Sequence, residues 1–130
     1  MPPHSGRAAK TTLCASFRHA LQGLAYVLGN ERNARIHLCA ALLVLVTSFW
    51  LDISSGEWAV IIIAVALVFA GEMLNTVVEI VIDMITIDHH PLAKRAKDVA
   101  AGAVLVSAIA AAAMGLVVLG PHLLTKMGLG

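Results

Sequence analysis

From Leu13 onward the large apolar residues recur at Leu13, Phe17, Leu21, Leu24 and Leu28, while Ser16, Arg18, His19 and Gln22 fall mostly between them. Steps of three and four put the apolar set on one stripe of a helix. The pattern predicts an amphipathic helix over about 13–28, suited to lying in a membrane surface with its apolar side down. A tilted extension of the following segment would share the pattern. A polar stretch, Asn30 to Arg35, then breaks the run. Ile36 to Leu51 is a largely apolar run interrupted by His37, and with flanking residues it predicts a crossing over about 33–51. Asp52 to Glu57 reads as a turn, flanked by Trp50 and Trp58 where interfacial aromatics belong. A second crossing is expected over about 57–86, and Asp88, His89 and His90 form a loop. Pro91 suits the first position of a third helix. That helix is expected over about 91–119, ending at Gly120-Pro121.

Composition agrees with this pattern. Apolar residues make up 59% of the 130 positions and charged residues 13%. A soluble domain of this size could not bury so much apolar surface, so the excess should face lipid. One domain is expected over 13–130, preceded by a disordered lead-in over 1–12 that lacks the apolar core of a signal peptide. The fold class is an all-α membrane protein with three membrane helices preceded by an interfacial helix. A net charge of +1 argues against a nucleic-acid partner. Cys14 and Cys39 fit neither a disulfide framework nor a zinc site and read as small packing residues.

Charge distribution sets the expected orientation. Five of the nine basic residues precede Ile36, three lie at Lys94, Arg95 and Lys97, and the Asp52–Glu57 turn holds none. Basic residues stay on the cytoplasmic side, so the N-terminus and the 88–98 region should be inside and the C-terminus outside. Ala103, Ser107, Ala111 and Gly115, each four apart, form a small-residue ridge that lets helices approach closely. Three helices enclose little room for polar groups, which favours an oligomer.

Candidate chemistry centres on the second crossing. Glu72, Asn75, Thr76, Glu79 and Asp83 fall within about 100° of helical arc. Counted from Trp58, Glu72 lies about 21 Å along the helix and Glu79 about 31 Å. Glu72 should therefore be buried toward one leaflet, with Glu79 at its edge. An intramembrane carboxylate is costly and persists for function or pairing. Glu31 falls at a similar depth to Glu79. Lys94, Lys97 and Asp98 share a face near the start of the third helix, where cations oppose the helix dipole and call for anionic compensation. Carboxylates beside basic residues, without sulfur ligands, suggest oxygen-coordinated magnesium holding phosphates. No Walker-type loop or protein-kinase signature is present.

The string Glu72-Met-Leu-Asn75-Thr-Val-Val-Glu79-Ile-Val-Ile-Asp83, with Ala96-Lys97-Asp98 after a short loop, resembles the small bacterial diacylglycerol kinase and undecaprenol kinase family. The likeness runs from about Phe17 to Leu119. It implies a homotrimer in the bacterial inner membrane, with composite sites at the cytoplasmic interface and phosphoryl transfer from ATP to a membrane lipid. By motif position, Glu72 would be the general base and Asn75 would orient the reacting groups. Glu31 and Glu79 would hold magnesium, and His19, Asp88, His89, His90, Lys97 and Asp98 would contact nucleotide. Arg35 and Trp50 are the expected lipid contacts. The stretch Glu31 to His37 is more similar to the undecaprenol-type branch than to the diacylglycerol-type branch. A proton-coupled transporter or channel is the competing reading, but it would scatter its acids through the bilayer rather than cluster them at one face. A structural assembly subunit would need only the small-residue ridge.

Overall fold

The structure is a computed structural model that describes residues 12–86 and 88–129. The expected lead-in therefore lies outside the described residues except for Thr12, which caps the first helix by accepting from Ala15 N at 3.4 Å. Four helices follow: α1 Leu13–Asn30, α2 Arg32–Leu51, α3 Ser55–Ile85 and α4 Pro91–Lys126. The last three are long and apolar enough to cross a membrane.

The predicted breaks are narrower than their polarity suggested. Only Glu31, in an extended conformation, separates α1 from α2. Asn30 stays in α1 with its side chain donating to the Tyr26 carbonyl at 2.8 Å, and Arg32 to Arg35 are already helical. Arginine and asparagine are polar without being strong helix breakers. At the other end of α2, Asp52 adopts the left-handed conformation, with φ 53°, and terminates the helix. The next helix begins at Ser55, earlier than expected, because Ser54 and Glu57 form a reciprocal capping box.

The expected end of the third crossing at Leu119 is also corrected: α4 continues through Gly120 and Pro121 to Lys126. Pro121 removes one backbone donor, but the turns beyond it are anchored from outside. His122 Nε2 meets Glu57 Oε1 at 2.8 Å, and Lys126 Nζ donates to the Trp50 carbonyl at 3.3 Å. The same ammonium lies 4.8 Å from the centroid of the Trp50 ring.

These contacts also define the direction of each helix. The start of α3 meets the end of α4 through Glu57 and His122, and the end of α3 meets the start of α4 through Asp83 and Lys97. The two are antiparallel and make the most extensive helix pair. Gly71 permits their close approach, since a Cβ there would sit 3.2 Å from Ser107 Oγ and 3.7 Å from Val104 Cα. α2 runs against α3, from His37 beside Glu72 to Leu51 in a small core with Ile53, Ile61, Val118 and Leu119. Outside that core most large apolar side chains are exposed on the single chain, among them Leu43, Phe49, Ile63, Leu105 and Val117. Cys14 and Cys39 are free and exposed too, so they do not fill the core as expected. They sit on outward faces, in keeping with a chain whose apolar residues largely point away from its own interior.

Candidate active site

Among the described residues Glu72 is the one charged side chain that is buried, at 1% exposure, with Thr76 beneath it at 3%. α3 holds it in the helix interior, and Thr76 Oγ1 donates to the Glu72 carbonyl at 3.0 Å. That bond leaves the Glu72 carboxylate unserved. Its Oε1 has no hydrogen-bond partner among the described residues, nor has the buried Oδ1 of Asn75. Glu72 Oε1 does lie 3.3 Å from His37 Nε2 on α2, within ion-pair reach but without the alignment of a formed hydrogen bond. One turn further along α3, Asn75 Nδ2 donates to Glu79 Oε1 at 3.2 Å. Glu31 and Glu79 are both near enough for their charges to act on Glu72.

Glu31 reaches this position because it is the single hinge residue between α1 and α2. It heads α2, where a carboxylate complements the helix dipole, yet its side chain makes no capping bond. Arg35 fixes the hinge by donating to the Gly29 carbonyl at 2.9 Å. Two buried orphan oxygens and two partly exposed carboxylates at one end of the bundle are a polar site inside an apolar protein. Unpaired groups of this kind cost free energy unless a ligand satisfies them.

A second polar region lies at the turn between α3 and α4. Asp83, Asp88, His89, His90, Lys97 and Asp98 line a cleft of about 680 Å³. Lys97 Nζ donates to Asp83 Oδ1 at 2.6 Å, and Lys94 Nζ to Asp98 Oδ2 at 2.6 Å. The anionic compensation expected for the lysines is thus Asp83 and Asp98. His90 caps α4, its Nδ1 accepting from Leu92 N at 3.2 Å.

Residues 18–119 match the family described as prokaryotic diacylglycerol kinase. The chain belongs to this family. It is 44% identical over 108 residues to the undecaprenol kinase of Bacillus subtilis, which covers 83% of this chain and 88% of that protein. It is 41% identical over 116 residues to a diacylglycerol kinase of Synechocystis, covering 88% of this chain and 66% of that protein. The diacylglycerol kinase of Escherichia coli is 33% identical over 112 residues, covering 86% of this chain and 92% of the relative.

The matched region contains every candidate residue, but the fold distributes them. Glu31, Glu72, Asn75 and Glu79 gather where α1, α2 and α3 meet. Asp88, His89, His90, Lys97 and Asp98 gather in the α3–α4 cleft. His19 is exposed on α1, 3.2 Å from Gln22 Oε1, and is not among the residues lining that cleft. Trp50 and Arg35 stand 15 residues apart on α2, about 22 Å by helical rise, so no single headgroup could touch both. Sequence reasoning missed His37 as a partner of Glu72. The signal was present, since it is the one ionisable histidine, lysine, arginine or carboxylate within the apolar run Ile36 to Leu51, and such residues face the bundle interior.

Proposed function

We propose that this lipid kinase transfers the γ-phosphoryl group of ATP to the hydroxyl of undecaprenol, with diacylglycerol as the other candidate acceptor. The observation that carries the reading is the buried, unpartnered Glu72 carboxylate, one turn from Asn75 and two from Glu79 on the same helix. Phosphoryl transfer asks a protein for positioning, charge neutralisation and a base for the attacking hydroxyl. Glu72 would accept the proton of the lipid hydroxyl, and Asn75, with its free Oδ1, would orient the reacting groups.

The residues present also suit magnesium. Among the described residues no three His, Cys, Asp or Glu side chains form a complete metal cage, but magnesium is commonly held by one or two carboxylates plus substrate phosphates. Glu31 and Glu79 are the two carboxylates for that task, and the donor set is all oxygen. When bound there, the ion would neutralise phosphate charge. Lys97, Asp98 and the Asp88–His90 loop would receive the nucleotide, with His19 approaching from α1.

In this reading the protein is a homotrimer in the bacterial inner membrane. α1 lies in the cytoplasmic membrane surface, the N-terminus is inside and the C-terminus outside. The distribution of basic residues supports that orientation, and the exposed Leu13, Phe17 and Leu21 of α1 support the interfacial placement. The wide outward-facing apolar surface of the single chain supports assembly within the bilayer. The choice of undecaprenol rests on the 44% identity to the Bacillus subtilis relative and on the Glu31–His37 stretch. Purified protein offered ATP and both lipids in the same vesicles decides it. Phosphorylation of undecaprenol ahead of diacylglycerol is expected. The reverse preference would overturn the acceptor, and transfer to neither would overturn the reading as a whole.

A further inference from the structure

The contact between α2 and α3 at the buried end of the site has a chemistry that the family motif does not include. Glu72 Oε1 is fully buried and is served by none of its neighbours on α3. Thr76 Oγ1 is committed to the Glu72 carbonyl, and Asn75 Nδ2 to Glu79. Among the described residues, His37 is the only basic side chain within ion-pair distance of Glu72. The imidazole is 25% exposed and the carboxylate side chain 2%. On its other side, His37 borders an apolar groove of about 580 Å³ between α2, α3 and α4. Ala40, Ala41, Val68 and Phe69 are among its walls, and His37 is the only ionisable residue lining it. A polar contact in such surroundings is screened far less than one in water.

We propose that His37 is a positioning residue for phosphoryl transfer, holding the Glu72 carboxylate in the orientation that meets the lipid hydroxyl. This rests on the reading of Glu72 as the base. The Nε2–H of His37 donates to Oε1 once the site closes on its substrates, when loose catalytic contacts tighten. The carboxylate is then restrained from rotating away along the α2–α3 seam. During transfer the lipid O–H bond breaks and its oxygen bonds to the γ-phosphorus. The bond from that phosphorus to the bridging oxygen of ADP breaks, and the proton ends on Glu72. His37 takes no part in the proton transfer, so it acts on the reaction only through Glu72.

The design of the test follows from the atom involved. His37→Met keeps bulk without a donor, whereas His37→Gln places an amide N–H near the position of Nε2. A hydrogen bond to a charged group is worth about ten-fold or more in an equilibrium. His37→Met is therefore expected to lower kcat by about ten-fold or more with the lipid KM little changed, and His37→Gln to recover most of the loss. Equal kcat in His37→Met and the unaltered enzyme would overturn the proposal. So would equal losses in both variants, or a loss confined to KM. Thermal unfolding in detergent establishes that each variant is folded. If His37→Met is not, His37→Asn replaces it, because its shorter amide cannot reach Oε1; full activity of His37→Asn would then overturn the proposal. Glu72→Gln is assayed alongside. Retained activity there removes the base itself, whereas an inactive Glu72→Gln beside a fully active His37→Met removes only the role of His37.

Discussion

Glu72 and Glu79 differ by seven positions and carry different expected tasks because their surroundings differ. Glu72 is enclosed by α2 and α3, while Glu79 is partly exposed and accepts from Asn75. Glu72→Gln keeps shape and polarity but cannot take a proton. Transfer should fall by about 10²–10⁴-fold, while nucleotide affinity, measured by titration in detergent, stays near that of the unaltered protein. Activity within a few-fold would remove Glu72 from the role of base. Glu31 and Glu79 should instead act as a pair. If one ion joins them to phosphate, replacing either by Gln weakens nucleotide binding more with magnesium than without it. The double replacement should cost clearly less than the sum of the two, since both remove the same ligand set. Additive losses, or losses equal in both conditions, would show that the two carboxylates do not share an ion.

Between residues and the whole molecule stand the helices, and here polarity and helix boundaries diverge. The acid face of α3 was legible in the spacing of Glu72, Asn75, Glu79 and Asp83, because a 3.6-residue period leaves little choice once the segment is helical. The four helices were legible for the same reason. Their ends were less so. The 30–35 stretch is polar yet breaks only at Glu31, and Pro121 reads as a stop although the His122–Glu57 and Lys126–Trp50 contacts carry the helix past it. Such contacts join residues 65 and 76 positions apart, beyond the reach of local pattern. The Ser54–Glu57 capping box is a local signal that the reading of 52–57 as a turn passed over, and it places the start of α3 at Ser55. The small-residue ridge was only half informative. Ser107 faces Gly71 across the α3–α4 seam, whereas Ala111 and Gly115 border the other groove. That close approach is testable. Gly71→Val drives a branched side chain toward Ser107 Oγ and Val104 Cα, and overpacking of this kind costs about 1–3 kcal/mol. A lower thermal midpoint in detergent is expected, with partial recovery on adding Ser107→Gly. Unchanged stability of Gly71→Val would mean that the two helices are not held at this distance.

At the scale of the whole molecule, the two polar regions raise the question of how a single reaction uses both. Glu31, Glu72 and Glu79 gather at the meeting of α1, α2 and α3, while Lys94 and Lys97, each paired with an aspartate, line the α3–α4 cleft, which His19 does not border. Within the described residues α1 packs on α2 and α3 and not on α4. On the proposed reading, a site made by two copies would resolve this, with Glu72, Glu31 and Glu79 from one chain and Lys97 and Asp98 from its neighbour. Isolated chains also expose far more apolar side chains than they bury, so copies have surface with which to meet in the bilayer. The prediction is complementation. Glu72→Gln and Lys97→Met protein should each be inactive alone. When the two are unfolded, mixed in equal amounts and reassembled, about a quarter of the sites should combine an intact Glu72 with an intact Lys97 from the next copy, by random pairing in a closed ring. Activity should return toward about that fraction in the mixture and stay absent when each variant is reassembled by itself. If every site were built from one chain, no pairing of these two variants could contain both residues. A mixture as inactive as its parts would therefore place Glu72 and Lys97 in the same copy, and with them the entire reaction.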